Sequence, residues 1–256
     1  MADPAQLLAP QLLLLVTGAV VAGVVQGISG FAFGMVALSF WAWGIDPLEA
    51  TVMAVFGGLC GQALSALTIR RKMVASELLP FLVGGLAGIP IGTYFLPYLS
   101  PAQFKLILGI ILTLACPMML AAPRIRHIRA GGRIADGVAG VAGGVIGGFS
   151  GMTGLAPAIW CTLRGYDKAR QRALLQNFNL AMLTVTMMTL MWKGAVSRAM
   201  LPRLGIVAVA LLVPSMIGTR IYRQMSEAAF NRFVLVLLTL SGLALIASAI
   251  PATGGT

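Results

Sequence analysis

The sequence predicts an all-α integral membrane protein built from two homologous halves, and three observations support that prediction. Of the 256 residues, 59% are hydrophobic and only 10% are charged, whereas soluble domains carry about 25% charged residues. The apolar segments do not alternate as the strands of a membrane barrel do, so helices are the expected membrane-spanning elements in a lipid bilayer. The third observation is an internal duplication.

The duplication becomes visible when the sequence is compared with itself at a fixed shift. A shift of 121 residues pairs Gly27 with Gly148, Ser29 with Ser150, Gly30 with Gly151, Asp46 with Asp167 and Lys72 with Lys193. Farther along, the shift becomes 126, and the segments that start at Ile91 and Ile217 are identical at 9 of 24 positions. We therefore predict a first repeat at residues 1–121, a basic cytoplasmic linker at 122–133, a second repeat at 134–250 and a tail at 251–256.

Each repeat is predicted to contain five helical segments. In the first repeat, residues 12–28 form the first segment and residues 31–43 a short second segment of about 20 Å, less than a hydrocarbon core of about 30 Å. The third segment begins at Asp46-Pro47, an N-cap followed by a first-turn proline, and continues to about residue 69. The fourth covers residues 78–96, and the fifth begins behind the cap Ser100. The second repeat has Asp167 and Ser226 at the two capping positions.

The first two segments of each repeat are either one broken crossing or a hairpin that enters and leaves by the same face. The hairpin brings 14 of the 18 basic residues to one face, whereas a single crossing divides them 10 to 8. Basic residues concentrate on the cytoplasmic face, so the hairpin is favoured. Three further crossings per repeat then give the two halves opposite orientations. The predicted architecture is an inverted repeat of 3 + 3 crossings plus two glycine-rich hairpins, with both termini outside, although the first segment is itself long enough to span.

The hairpin tips, Ser29-Gly30 (the first tip) and Ser150-Gly151 (the second tip), form the predicted binding site. Serine is a natural N-cap, and glycine permits the tight turn. The first turns of the short helices should then offer free N–H groups and the positive end of a helix dipole to an anion. Inverted repeats bring two such tips towards the middle of the bilayer. Glycines can instead allow close helix packing, and we expect that role, and not anion binding, for Gly57, Gly58, Gly84 and Gly85.

Other polar residues within apolar segments could line the same cavity, because such side chains are costly against lipid. Phe31 and Thr153 follow the tips directly, and the remaining candidates are amides for which an interhelical hydrogen bond is the alternative. The complete predicted substrate-binding set is Ser29, Gly30, Phe31, Ser150, Gly151, Thr153, Gln176, Asn177, Asn179, Gln26 and Gln62.

Several functions lack the residues that they need. The seven acidic residues lie near segment ends or in loops, which leaves no obvious carboxylate for a proton relay or a cation pore. There is no HExxH, no P-loop lysine and one histidine, so we predict no enzyme, no metal and no cofactor. The net charge of +11 comes from short basic clusters between apolar segments, and we therefore expect no nucleic-acid partner.

The duplicated halves, the "GxSG" tips and Pro157 after the second tip resemble the sulfite exporter TauE/SafE family, also called the toluene sulfonate uptake permease family. The resemblance covers nearly the whole chain and implies a multi-pass carrier of the bacterial inner membrane for sulfite or organosulfonates such as sulfoacetate. One departure is that Pro157 has Val36 as its counterpart in the first repeat. The two tips are therefore not chemically equivalent.

The membrane potential predicts the direction in which an anion is transported. With a negative cytoplasm, export of each negative charge is favoured by about 2.3 kcal/mol per 100 mV, so an exported anion needs no coupling ion. An anion channel, a proton-coupled uptake permease and a structural subunit remain alternatives. The cytoplasmic basic residues, Arg172 among them, are explained by the positive-inside rule, with recruitment of anions as their alternative role.

Overall fold

A computed structural model describes residues 4–68, 75–122, 125, 128, 131–222 and 227–253. The first half contains the helices α1 (Pro4–Ser29), α2 (Phe33–Trp41), α3 (Pro47–Thr68), α4 (Ala75–Phe95) and α5 (Pro101–Ala121). The second half contains α6 (Gly132–Ser150), α7 (Leu155–Leu163), α8 (Lys168–Trp192), α9 (Leu201–Tyr222) and α10 (Glu227–Thr253). The described residues contain no strand. The all-α fold class and the order of five helical segments per half are confirmed.

The predicted caps begin three of these helices. The side chain of Asp46 accepts a hydrogen bond from the N–H of Leu48 at 2.9 Å, and that of Asp167 accepts one from the N–H of Arg170 at 2.9 Å. Ser100 and Gln103 form a capping box, in which each side chain accepts the N–H of the other residue. These bonds satisfy N–H groups that have no partner inside their helix. The fourth predicted cap, Ser226, lies outside the described residues.

Seven of the described helices are long and apolar enough to cross a membrane, namely α1, α3, α4, α5, α8, α9 and α10. The two short helices, α2 and α7, have nine residues each, or about 14 Å at 1.5 Å per residue. α6 is not among the seven, because its nineteen residues include Arg133, Asp136 and many glycines. The first helix thus qualifies as a span, whereas its counterpart in the second half does not.

Each short helix folds back along the long helix before it, and a tryptophan holds the two together. Trp41 at the end of α2 donates its indole N–H to the carbonyl oxygen of Leu15 at 3.2 Å. Trp160 in α7 donates to the carboxylate of Asp136 at 2.7 Å. Leu15 and Asp136 are 121 residues apart, so the two acceptor residues occupy the same position of the repeat, whereas the two tryptophans differ by two positions. In the second hairpin, the N–H of Ile128 also reaches the carbonyl of Leu163 at 2.8 Å.

Trp160→Phe is expected to destabilise the protein by about 1.5–3 kcal/mol, because it removes a hydrogen bond to a buried carboxylate. Asp136 is only 5% exposed, although the Arg164 Nε remains 3.7 Å from its carboxylate. Trp192→Phe is the matched control, since Trp192 is 91% exposed. The thermal unfolding midpoints of the two purified variants measure the difference. Equal midpoints would show that the bond to Asp136 does not stabilise the hairpin.

The main helix pairs join one half of the chain to the other. α1 packs along α9, α6 along α4, α5 along α10, and α3 against α8. When each helix is replaced by its counterpart in the other half, the α1–α9 pair becomes the α6–α4 pair. The same exchange leaves the α5–α10 and α3–α8 pairs unchanged.

Glycines allow the closest of these contacts. A Cβ added to Gly84, Gly88 or Gly92 of α4 would overlap the backbone of α6, and one added to Gly140, Gly144 or Gly148 would overlap that of α4. The contacts advance in the same direction along both helices, so α4 and α6 run parallel. Small residues at four-residue spacing let two helical backbones approach in this way. The predicted packing role is confirmed for Gly84, and likewise for Gly57, Gly58 and Gly85, whose added Cβ atoms would meet neighbouring side chains.

Candidate functional site

The first tip is a tight turn whose backbone is bonded by its own side chains. Gly30 has a φ of +85°, the left-handed conformation that glycine adopts without strain. The Ser29 hydroxyl accepts hydrogen bonds from the N–H groups of Ala32 at 3.2 Å and Phe31 at 3.4 Å. The N–H of Phe33 is bonded to Gln26 Oε1 at 3.0 Å. We expected free N–H groups at this turn, but these three are already satisfied within the protein.

Two buried glutamines complete the first tip. Gln26 and Gln62 are each 1% exposed. Gln62 Nε2 donates to the carbonyl oxygen of Gly30 at 2.6 Å, and Gln26 Oε1 accepts from Phe33 as described, so a backbone partner sets the orientation of each amide. The other two amide atoms, Gln26 Nε2 and Gln62 Oε1, have no hydrogen-bond partner among the described residues. The first tip therefore holds a buried donor and a buried acceptor for which the described residues supply no partner.

A cationic side chain lies against the first tip. A Cβ added to Gly30 would lie 3.5 Å from Nε and 3.8 Å from Nη2 of Arg172, which is one turn into α8 and half-buried. The sequence assigned Arg172 to the basic cytoplasmic surface and did not predict it as a binding residue. The signal that could have found it is the repeat offset, since Arg172 corresponds to Thr51, which is fully buried in α3.

The second tip is neutral, and its polar side chains bond to the protein itself. The buried Ser150 donates to the carbonyl of Ile146 at 2.6 Å, and Gly151 has a φ of +73°. The expectation that Ser29 and Ser150 cap the short helices is wrong, because α2 begins at Phe33 and α7 at Leu155, and neither helix has a side-chain cap. Thr153 donates to Asn179 Oδ1 at 2.8 Å, and these two residues are 1% and 2% exposed.

The two tips meet beside the central part of α3. A Cβ added to Gly34, in the first turns of α2, would lie 3.2 Å from the carbonyl oxygen of Gly151. One added to Gly151 would lie 3.1 Å from Val55 of α3, while the first tip contacts the same helix at Gln62. Val55 and Gln62 are seven residues apart, or about 10 Å along a helix. The chain thus brings the two predicted turns close to one another.

Nine of the eleven predicted residues lie at the two tips or bond to them. The other two are Gln176 and Asn177 of α8. Gln176 is half-buried, one turn after Arg172 and one turn before Asn179, so these three residues share a face of the helix. That face extends from the first tip to the second. Asn177 is on a different face and donates to the carbonyl of Ala173 in its own helix at 2.8 Å. Phe31 packs against both hydrophobic clusters of the core.

Two ion pairs that the sequence did not predict connect first turns of long helices. Glu49 of α3 binds Arg203 of α9, and Arg170 of α8 binds Glu77 of α4 through two hydrogen bonds of 2.7 and 2.9 Å. The repeat shifts relate Glu49 to Arg170 and Glu77 to Arg203, so the same pair recurs with its charges exchanged. The sequence signal was the presence of opposite charges at equivalent repeat positions.

The fold is that of a multi-pass helical membrane protein, and interrupted helices that meet around polar groups are typical of membrane transporters. Residues 15–245 match the family model described as Sulfite exporter TauE/SafE. The chain therefore belongs to the sulfite exporter TauE/SafE family of membrane transporters. No curated protein matches the chain, and no solved structure does so either.

Proposed function

We propose that the protein is a secondary carrier that exports a small sulfur-containing anion across the bacterial inner membrane, with sulfite, sulfoacetate or another sulfonate as its substrate. The observation that carries the proposal is the meeting of two glycine turns around buried polar groups, in a chain that belongs to a family of sulfite exporters. Binding sites of secondary transporters lie where interrupted helices of two repeats meet. The substrate binds between the tips and moves along the face of α8 that carries Arg172, Gln176 and Asn179.

The two halves form an inverted repeat, with repeats at residues 1–121 and 134–250 and a cytoplasmic linker at 122–133. The exchange of helix pairs between the halves supports a two-fold relation. The hairpins closed by Trp41 and Trp160 return to the end from which they start, which leaves three crossings after each. An odd number of crossings reverses the second half, and the distribution of basic residues agrees with that orientation.

The ion pairs support opposite ends for the two hairpins. α3 runs from near Glu49 to Thr68, and α4 begins at Ala75, near Glu77. If both helices cross the membrane, Glu49–Arg203 lies at one end of the bundle and Glu77–Arg170 at the other. Under the proposed orientation the first pair is external and the second cytoplasmic. Each ion pair joins one helix of the first half to one helix of the second half. If the two pairs open alternately, the tips become accessible from one side of the membrane at a time.

Export follows from the membrane potential. Each negative charge that leaves the negatively charged cytoplasm releases about 2.3 kcal/mol per 100 mV. An anion exporter therefore operates without a coupling ion. Asp136, the buried acid among the described residues, is bonded to Trp160 at the open end of its hairpin rather than at a tip.

Counterflow in proteoliposomes tests the function. Vesicles that contain the purified protein and unlabelled sulfite inside are expected to take up labelled sulfite faster than vesicles without internal sulfite, because a carrier exchanges substrates across the membrane. Protein-free vesicles are the control, and sulfoacetate and methanesulfonate replace sulfite in parallel experiments. Equal uptake with and without internal anion would indicate a channel. A requirement for a proton gradient would indicate the coupled uptake permease.

A further inference from the structure

We infer that, where the two tips meet, only the first tip supplies groups that bind the anion, and that Arg172 of α8 supplies the positive charge that recognises it. The inference rests on the proposed function and deepens it, because it names the charged group and assigns the substrate to one of the two tips. The ligand class is a small oxyanion such as sulfite or the sulfonate group of a larger molecule. Its oxygens would bind the Arg172 guanidinium and the Gln26 amide donor.

The position of the guanidinium is the first observation. Nε and Nη2 of Arg172 lie 3.5 and 3.8 Å from the Cβ position of Gly30. Glycine leaves this space open, because any other residue would place its side chain against the guanidinium. A planar guanidinium presents its donors as a fork that matches two oxygens of one oxyanion.

The two glutamines are the second and independent observation. Gln26 Nε2 and Gln62 Oε1 are buried at the same turn without a partner among the described residues. Such atoms cost free energy unless a ligand or water bonds to them. Gln26 Nε2 can donate to an oxyanion oxygen. Gln62 Oε1 is an acceptor and suits a bound water or the hydroxyl of a protonated anion such as hydrogen sulfite.

The second tip lacks all three groups. At the repeat offset of 121, Arg172 corresponds to Thr51, Gln26 to Gly147 and Gln62 to Leu183. Thr51 donates its hydroxyl to the carbonyl of Phe149 at 2.9 Å. The polar pair at this tip, Thr153 and Asn179, is bonded within itself. Both turns pass through a glycine with positive φ, but only the first has an arginine beside its glycine and buried amide atoms without a partner among the described residues.

Titration calorimetry on the full-length protein in detergent, with sodium sulfite and sodium methanesulfonate as probes, tests the inference. Arg172→Ala is expected to weaken binding at least tenfold. Arg172→Lys is expected to give intermediate affinity, since it keeps the charge and loses the fork. Lys193→Ala is the matched control, because this substitution also removes one positive charge, from a side chain that donates to Thr93 at 3.1 Å. Its affinity is expected to stay within twofold of the wild type.

The outcomes separate the inference from the proposed function. If the wild type binds neither probe, the proposed function is wrong. If the wild type binds and Arg172→Ala binds equally well, the function stands and the inference is overturned. An equal loss of affinity in Lys193→Ala would also overturn the inference, because the affinity would then depend on the net positive charge of the protein and not on Arg172 itself. Should Arg172→Ala fail to elute as a folded protein in size-exclusion chromatography, Arg172→Gln provides the same comparison with a polar side chain of similar length.

Discussion

Transport is expected to fall to the level of protein-free vesicles when the two residues of either ion pair are replaced by cysteine and joined by a short bifunctional thiol reagent. Glu49 and Arg203 belong to different halves of the chain, as do Glu77 and Arg170. If the halves move against one another around the tips, a covalent bridge at either end traps one of the two states, and a carrier needs both. Counterflow of labelled sulfite, before and after crosslinking, measures the loss.

The native cysteines must first be replaced. Cys60, Cys116 and Cys161 are free and could react with the reagent. In that background, Glu49→Cys with Arg203→Cys tests one end, and Glu77→Cys with Arg170→Cys tests the other. Each single-cysteine variant, treated with the same reagent, is the matched control and is expected to keep its activity. Undiminished counterflow after complete crosslinking of either pair would rule out movement at that end.

Gly144→Val is expected to prevent the protein from folding. Gly144→Ala is expected to destabilise the protein by about 1–3 kcal/mol, the usual cost of overpacking a core. A Cβ at this position would overlap the carbonyl oxygen of Gly85 and lie 2.9 Å from its Cα. These are backbone atoms of α4, so no side-chain rotation can relieve the overlap, and the two helices must separate. A loss of this size is a large fraction of the 5–15 kcal/mol that stabilises a typical protein.

Gly205→Ala is the matched control for this substitution. Gly205 also lies in a long helix, α9, and a Cβ there would meet nothing within 4 Å. Alanine favours a helix over glycine by up to about 1 kcal/mol, so this variant should keep or raise the thermal midpoint. The yield of folded protein and its thermal midpoint in detergent measure both variants. A Gly144→Ala variant with a wild-type midpoint would contradict close backbone packing between α4 and α6.

Local signals in the sequence were sufficient for the helices and for the starts of three of them. Asp46, Ser100 and Asp167 are caps in the structure as predicted, because a cap depends on residues within one turn of it. The two tips turn at glycines with positive φ for the same local reason. Ser150 was misassigned since the turn after Gly151 is longer than expected, and a serine five residues before a helix cannot cap its first turn.

The polar residues of the site could be predicted only as a set of candidates. Gln26, Gln62, Thr153 and Asn179 stood out because each is a polar residue within an apolar segment, and the structure brings each to a tip. Asn177 had the same signal and bonds to its own helix instead. The sequence could not distinguish these outcomes, because the direction of a helical side chain depends on which neighbour the helix packs against.

By itself, the amino-acid sequence determined the membrane character, the duplication, the ten helical segments and the glycine turns, because composition, repetition and turn chemistry are properties of neighbouring residues. The tertiary structure alone decided that Arg172 lies against Gly30 and that the ion pairs recur with exchanged charges. Those features depend on contacts between helices more than ninety residues apart in the chain. Hydrophobic patterning constrains such contacts weakly, since nearly every face of these helices is apolar and only packing selects the neighbour.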